Sequence, residues 1–152
     1  MTISRFVVGS AGWLILALIE MVPVAEPSLL QLPLYDDLGT HHHPITTTST
    51  EAQRYFDQGL RMVYAFNHEE AILAFEAAAR LDPTAAMAYW GIALALGPNI
   101  NMAMDKADEQ RAWEAVQKAT SQSAHVSAVE QAYIHAISKR YSQKSQARGG
   151  SR

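Results

Sequence analysis

Apolar side chains recur every three or four positions between residues 51 and 141, which is the period of amphipathic helices. The first such run predicts a helix over about 50–66, with Arg54, Asp57 and Arg61 on its solvent face. The fifth and last run ends near residue 141. No stretch in this part of the chain alternates apolar and polar residues as a half-buried strand would, so the pattern predicts an all-α fold.

Helix boundaries are predicted from residues that can cap helix ends. The spacings Thr48-x-x-Glu51 and Thr50-x-x-Gln53 both fit a capping box for the first helix, and Ser127-x-x-Glu130 fits one for the fifth. Asn67 is a suitable N-cap for the second, and the Asp82-Pro83 pair suits the end of one helix and the start of the next. The predicted helices after the first span about 68–81, 84–96, 105–120 and 127–141.

One 34-residue stretch follows the spacing of a tetratricopeptide unit, a pair of antiparallel helices that stacks on its neighbours. The positions that carry the match are Tyr55, Gln58, Gly59, Met62, Ala71, Phe75, Ala78 and Pro83. On these residues, 51–141 resembles a tetratricopeptide-repeat protein. The resemblance implies a solenoid of about two and a half helical hairpins, with a loop insertion in the second unit and only the first helix of a third. The stretches 51–60, 81–83 and 97–101 also look like the N-terminal part of longer exported bacterial tetratricopeptide proteins.

In that family the first helix of each unit lines a concave groove for peptides or partner proteins. The resemblance therefore implies a non-enzymatic interaction scaffold that uses this groove. An alternative remains open, in which Phe56, Leu60 and Trp90 are only inter-helix core. The implied partner-binding residues are Gln53, Phe56, Asp57, Leu60 and Tyr64 from the first unit and Met87, Trp90 and Leu94 from the second.

The chain outside the repeats divides into three further segments. Residues 1–25 have the basic start and apolar run of a signal peptide; if cleavage fails, residues 6–24 would serve as a membrane anchor. A buried core helix is the alternative for this stretch. Residues 26–50, with three prolines and a Thr-Ser tract, are predicted to be an extended linker, and 142–152 a disordered tail. We thus expect an exported domain, periplasmic or anchored on the outer side of the cytoplasmic membrane.

Composition narrows the function classes. The chain is 49% hydrophobic and 18% charged, with a formal net charge of -3 and no basic stripe, which argues against nucleic-acid binding. It has no cysteine, so disulfides, thiolate zinc sites and cysteine nucleophiles are excluded. None of the common catalytic motifs occurs, and we expect neither enzymatic activity nor a cofactor.

The run His41 to His43 provides the main alternative function. Together with His68, Met102 and Met104 it could form a copper site of imidazole and thioether ligands in an exported metal-handling module. Adjacent histidines on a flexible segment, however, bind metal weakly and without specificity. Copper or zinc handling is therefore kept as the alternative to peptide binding.

The repeat array predicted here is incomplete. Its last helix lacks a second-helix partner, so the apolar edge of Tyr133, Ala136 and Ile137 is expected to be open. Two explanations follow: the edge pairs with a second copy or a partner, or the chain is a fragment of a longer repeat protein.

Overall fold

A computed structural model describes residues 32–100 and 103–141. This part of the chain is all-α, as predicted, with no strand. A short 3-10 turn, Ser123–His125, joins the last two helices. The helices are α1 (Thr50–Tyr64), α2 (His68–Leu81), α3 (Ala86–Leu96), α4 (Lys106–Gln122) and α5 (Ala128–Arg140). The signal or anchor predicted over 1–25 and the tail predicted over 142–152 lie outside the described residues.

The N-terminal caps follow the sequence at two helices and differ at α1. Asn67 accepts from the Glu70 backbone N–H at 3.4 Å, and Ser127 forms the complete capping box with Glu130, as predicted. At α1 the cap is Ser49, whose hydroxyl accepts from the Ala52 N–H at 3.1 Å. Both capping boxes predicted around Thr48 and Thr50 are therefore wrong.

Helix α2 has its predicted bounds, whereas the end of α1 and the start of α3 differ slightly from the predicted ones. Helix α1 stops at Tyr64, because Phe66 takes the left-handed conformation with a φ of 61°. After α2, both the Thr84 N–H and the Thr84 hydroxyl donate to Asp82 Oδ1, at 2.9 and 2.6 Å. Asp82 thus closes a turn between the helices, and α3 begins at Ala86, two residues later than predicted.

The core is centred on Phe75 of α2. Its ring lies 5.4 Å from the ring of Phe56 on α1. Gly59 of α1 and Gly91 of α3 face the same ring, and a Cβ at either position would lie 2.7 or 2.5 Å from it. Two glycines on different helices therefore allow α1 and α3 to approach α2 closely, as small residues at helix crossings do.

Helix α3 is the most central element. It packs between α2 and α4 and also contacts α1 and α5. The hydroxyl of Tyr141, just beyond α5, donates to the Ala93 carbonyl of α3 at 2.9 Å. Ile137 of α5 is only 7% exposed, so its expected place on an open edge is wrong, whereas Tyr133 is 43% exposed. Among the helices described, none is long and apolar enough to cross a membrane.

Candidate functional site

The segment before α1 has no helix or strand, and it lies folded against α1. Its first part is hydrogen-bonded to side chains in the middle of that helix. Tyr55 donates its hydroxyl to the Leu32 carbonyl at 2.6 Å. Gln58 donates to the Pro33 carbonyl at 3.0 Å and accepts from the Tyr35 N–H at 2.9 Å. The buried Gln58 thus satisfies both ends of its amide with this segment.

Residues 41–48, which we call the docked segment, return along α1. Gln53 holds the backbone from two sides: it accepts from the Ile45 N–H at 2.9 Å and donates to the His43 carbonyl at 2.9 Å. Arg61 donates from Nε and Nη2 to the His41 carbonyl, at 2.8 and 2.6 Å. Side chains of one helix therefore bind the backbone of this irregular segment at several points.

Three buried carboxylates accept hydrogen bonds from the docked segment. The residues Asp57, Asp82 and Glu130 are 6%, 7% and 4% exposed. Asp57 lies 2.7 Å from His42 Nδ1 and accepts from the His43 N–H at 3.0 Å. The expectation that Asp57 faces solvent is wrong, because the docked segment covers it.

Glu130, at the start of α5, accepts four hydrogen bonds, two of them from the docked segment. The Thr46 N–H donates to Oε1 at 2.7 Å, and the Thr46 hydroxyl donates to Oε2 at 2.5 Å. Ser127 adds its own N–H and hydroxyl at 2.9 and 2.7 Å. One carboxylate thus caps α5 and fixes a residue 84 positions earlier in the chain.

Asp82 anchors the end of the docked segment. Its Oδ2 accepts from the Thr47 hydroxyl at 2.6 Å and from the Thr48 N–H at 3.3 Å. The segment therefore touches α1, the turn after α2, and α5.

At two of these carboxylates, hydrogen bonds lower the pKa by more than burial raises it. Burial raises the pKa of Glu130, but the bonds from Thr46 and Ser127 leave that pKa below its ordinary value. Burial likewise raises the pKa of Asp82, and the bonds from Thr47, Thr84 and Thr48 bring it below the ordinary value. Both groups are therefore held as carboxylates that need donors from the docked segment.

Aromatic rings complete the surface. The His43 ring lies between Phe56 of α1 and Tyr133 of α5, with centroid distances of 6.1 Å to each. Tyr133 also meets Trp90 of α3 edge to face at 5.6 Å. We call the surface made of Gln53, Phe56, Asp57, Asp82, Glu130 and Tyr133 the docking face.

The predicted partner-binding residues lie in four different environments in the structure. Gln53 and Asp57 bond directly to the docked segment. Tyr64 is 70% exposed and lies 6.1 Å from the His41 ring. Half-buried Trp90 meets Tyr133, and half-buried Leu94 packs on the core. The remaining residues are buried in the core, although Phe56 also meets the His43 ring: Phe56, Leu60 and Met87.

Two acidic residues of the docking face, Asp82 and Glu130, were not predicted to bind a partner. Asp82 was expected only as a helix cap, and Glu130 only as part of a capping box. The signal that could have revealed them is the hydroxyl tract 46–50, because threonines outside a helix or strand seek acceptors. Nothing in the local pattern, however, indicates which acids they meet.

The three histidines of the run 41–43 point to different places. His41 lies against Tyr64, His42 bonds to Asp57, and His43 sits between two aromatic rings. Within the described ranges, no group of three His, Cys, Asp or Glu side chains is arranged to hold a metal ion. The geometry of this run therefore favours packing over coordination.

A second surface lies on α5 and shares Tyr133 with the docking face. Val129 and Tyr133 are exposed there, and with three alanines they line a shallow apolar depression of about 530 Å³. It holds none of the buried carboxylates that define the docking face.

Comparison with known proteins adds no family to this picture. No protein-family model, curated protein or solved structure matches the chain. The functional argument consequently rests on the contacts of the docking face.

Proposed function

We propose that this chain is a protein-interaction module of tetratricopeptide-like helical hairpins that binds an extended peptide through its docking face. The packing of the helices supports the repeat interpretation. Neighbouring helices from α1 to α4 pack in sequence, and α3 also contacts α1 and α5. In a stack of hairpins the first helices of successive units touch in this way.

The observation that carries the proposal is the pair of hydrogen bonds between the Gln53 side chain and the backbone of the docked segment. One side chain accepts from Ile45 N–H and donates to His43 C=O, so it binds backbone groups that any residue would supply. His43 adds an aromatic anchor between Phe56 and Tyr133. Backbone bonds with a buried ring are the usual elements of peptide recognition.

The proposed location follows the export signal predicted over residues 1–25. It would place the docking face outside the cytoplasm, where a peptide or a segment of another exported protein would be the partner. The contacts of the histidine run give the metal-handling alternative no support, so we propose no second function.

Selection of peptides from a random display library on the full chain tests the proposal. We expect selected peptides to lose about fivefold to thirtyfold in affinity on Tyr133→Ala, because a ring of this kind contributes about 1–2 kcal/mol to an interface. Val129→Ala is the matched control, because exposed Val129 shares the second surface with Tyr133 but lies outside the docking face. Selected peptides that bind Tyr133→Ala and the control equally well would contradict the proposal.

A further inference from the structure

We propose that the docked segment is a built-in competitor of the docking face, and that the ligand which displaces it is an extended peptide with the same pattern. That pattern is an aliphatic residue followed by two hydroxyl residues, as in Ile45-Thr46-Thr47. The inference rests on the proposed function and specifies the ligand of the same face.

The aliphatic position is defined by packing and by the backbone. Ile45 is half-buried against the hydrophobic core, while its N–H donates to Gln53. Removing an aliphatic side chain from water stabilises the docked state. A ligand therefore needs an apolar residue at the point where Gln53 fixes its backbone.

The two hydroxyl positions are defined by buried acceptors. Thr46 donates its hydroxyl to Glu130 at 2.5 Å, and Thr47 donates its hydroxyl to Asp82 at 2.6 Å. A buried carboxylate that loses its donors retains the cost of desolvation, which makes an apolar substitute unfavourable. An acidic residue there would meet a like charge. Serine or threonine at both positions fits the acceptors.

The segment can act as a competitor because it is joined directly to α1. Ser49, the residue that follows it, is the N-cap of that helix. A tethered ligand has an effective concentration in the millimolar range for a short connection. A free peptide therefore binds with an apparent affinity reduced by the fraction of molecules in which the face is open.

The test uses matched substitutions in the full chain. Thr46→Ala with Thr47→Ala removes both hydroxyl donors. Thr48→Ala is the control, because Thr48 contributes only its backbone N–H to the face. The probe is a fluorescently labelled peptide with the sequence of residues 40–49, titrated into each protein and followed by anisotropy.

We expect the labelled peptide to bind the double variant at least about tenfold more tightly than the wild type or Thr48→Ala, because the weakened tether no longer competes. A peptide in which both threonines are alanine should lose that binding. Equal affinity of the probe for the double variant and the control, with both proteins folded by circular dichroism, would overturn the inference.

A second measurement, made on the wild type, tests the inference even if the double variant does not fold. Millimolar unlabelled peptide added to the wild type should speed amide exchange at the chain's own His43 and Ile45, whose N–H groups it would release. Unchanged exchange would overturn the inference.

The two proposals fail in different ways. If library peptides depend on Tyr133 but carry no hydroxyl pair, the proposed function stands and the ligand pattern is wrong. If the free peptide of residues 40–49 displaces the docked segment, the segment is a competitor for the docking face. If at the same time the library yields no peptide that depends on this face, the proposed binding of other peptides is wrong.

Discussion

At the scale of single residues, the contact between Gly91 and Phe75 determines how closely α3 approaches α2. A Cβ at Gly91 would lie 2.5 Å from Phe75 Cδ1, inside van der Waals contact. We expect Gly91→Ala to destabilise the fold by about 1–3 kcal/mol through overpacking. Phe75→Leu in the same chain should recover part of that loss. Urea unfolding of the single and double variants measures both effects. A gain near 1 kcal/mol in Gly91→Ala, the helix-propensity effect alone, would contradict the close approach.

Glu130 makes the stability of the fold depend on pH. Its pKa and that of Asp82 are lowered in the folded state. Their contribution to the free energy of unfolding is therefore complete above their unfolded pKa values, near 4. It is lost as the pH falls through the lowered values. Glu130→Gln should therefore be less stable at pH 7 and lose less stability between about pH 5 and pH 3 than the wild type. Exposed Glu69→Gln is the control in a pH series of thermal unfolding. The same acid dependence in Glu130→Gln as in wild type would exclude this role.

Asp57 shows where residue-level interpretation of the sequence reached its limit. Its position on the helix predicted exposure to solvent, whereas in the structure it is buried beneath His42 and His43. Helical periodicity describes a helix against its helical neighbours and carries no information about an irregular segment that covers it. The polar residues of the docking face were therefore predicted less well than the core residues Ala71, Phe75 and Ala78, whose apolar spacing matches their burial.

At the scale of elements, the N-terminus of α1 offers a direct comparison of neighbouring hydroxyls. Ser49 caps the helix, and Thr50 is its first residue. Ser49→Ala should lower the free energy of unfolding by about 1 kcal/mol, the usual cost of losing an N-cap. Thr50→Ala should change it by only a few tenths, because Ala is the better helix former. Equal losses of unfolding free energy in the two variants, measured by thermal or urea unfolding, would show that Ser49 and Thr50 share the cap.

The helices themselves were predictable because each carries its own period and end signals. All five exist within about two residues of their predicted bounds, and the Ser127 capping box was predicted in full. The docked segment lacks any period, and its bonds to Asp82 and Glu130 join residues far apart in sequence. Long-range polar contacts of this kind follow from the assembled helices, so a single sequence does not indicate them.

At the scale of the whole molecule, the docked segment ties together elements that otherwise meet only through the core. It reaches α1 through Gln53, the turn after α2 through Asp82, and α5 through Glu130. The segment therefore adds stability to the helices while it occupies the face proposed for peptides. Any ligand that replaces it must restore those three sets of bonds.

Amide hydrogen exchange of the full chain near neutral pH tests this account most directly. The N–H groups of His43, Ile45 and Thr46 bond to Asp57, Gln53 and Glu130. Such bonds, worth about 1–3 kcal/mol each where the acceptor is charged, should slow exchange by about tenfold to a hundredfold relative to a free peptide of the same sequence. Exchange of these three amides at the rate of the free peptide would show that the segment is not docked, and would contradict the account.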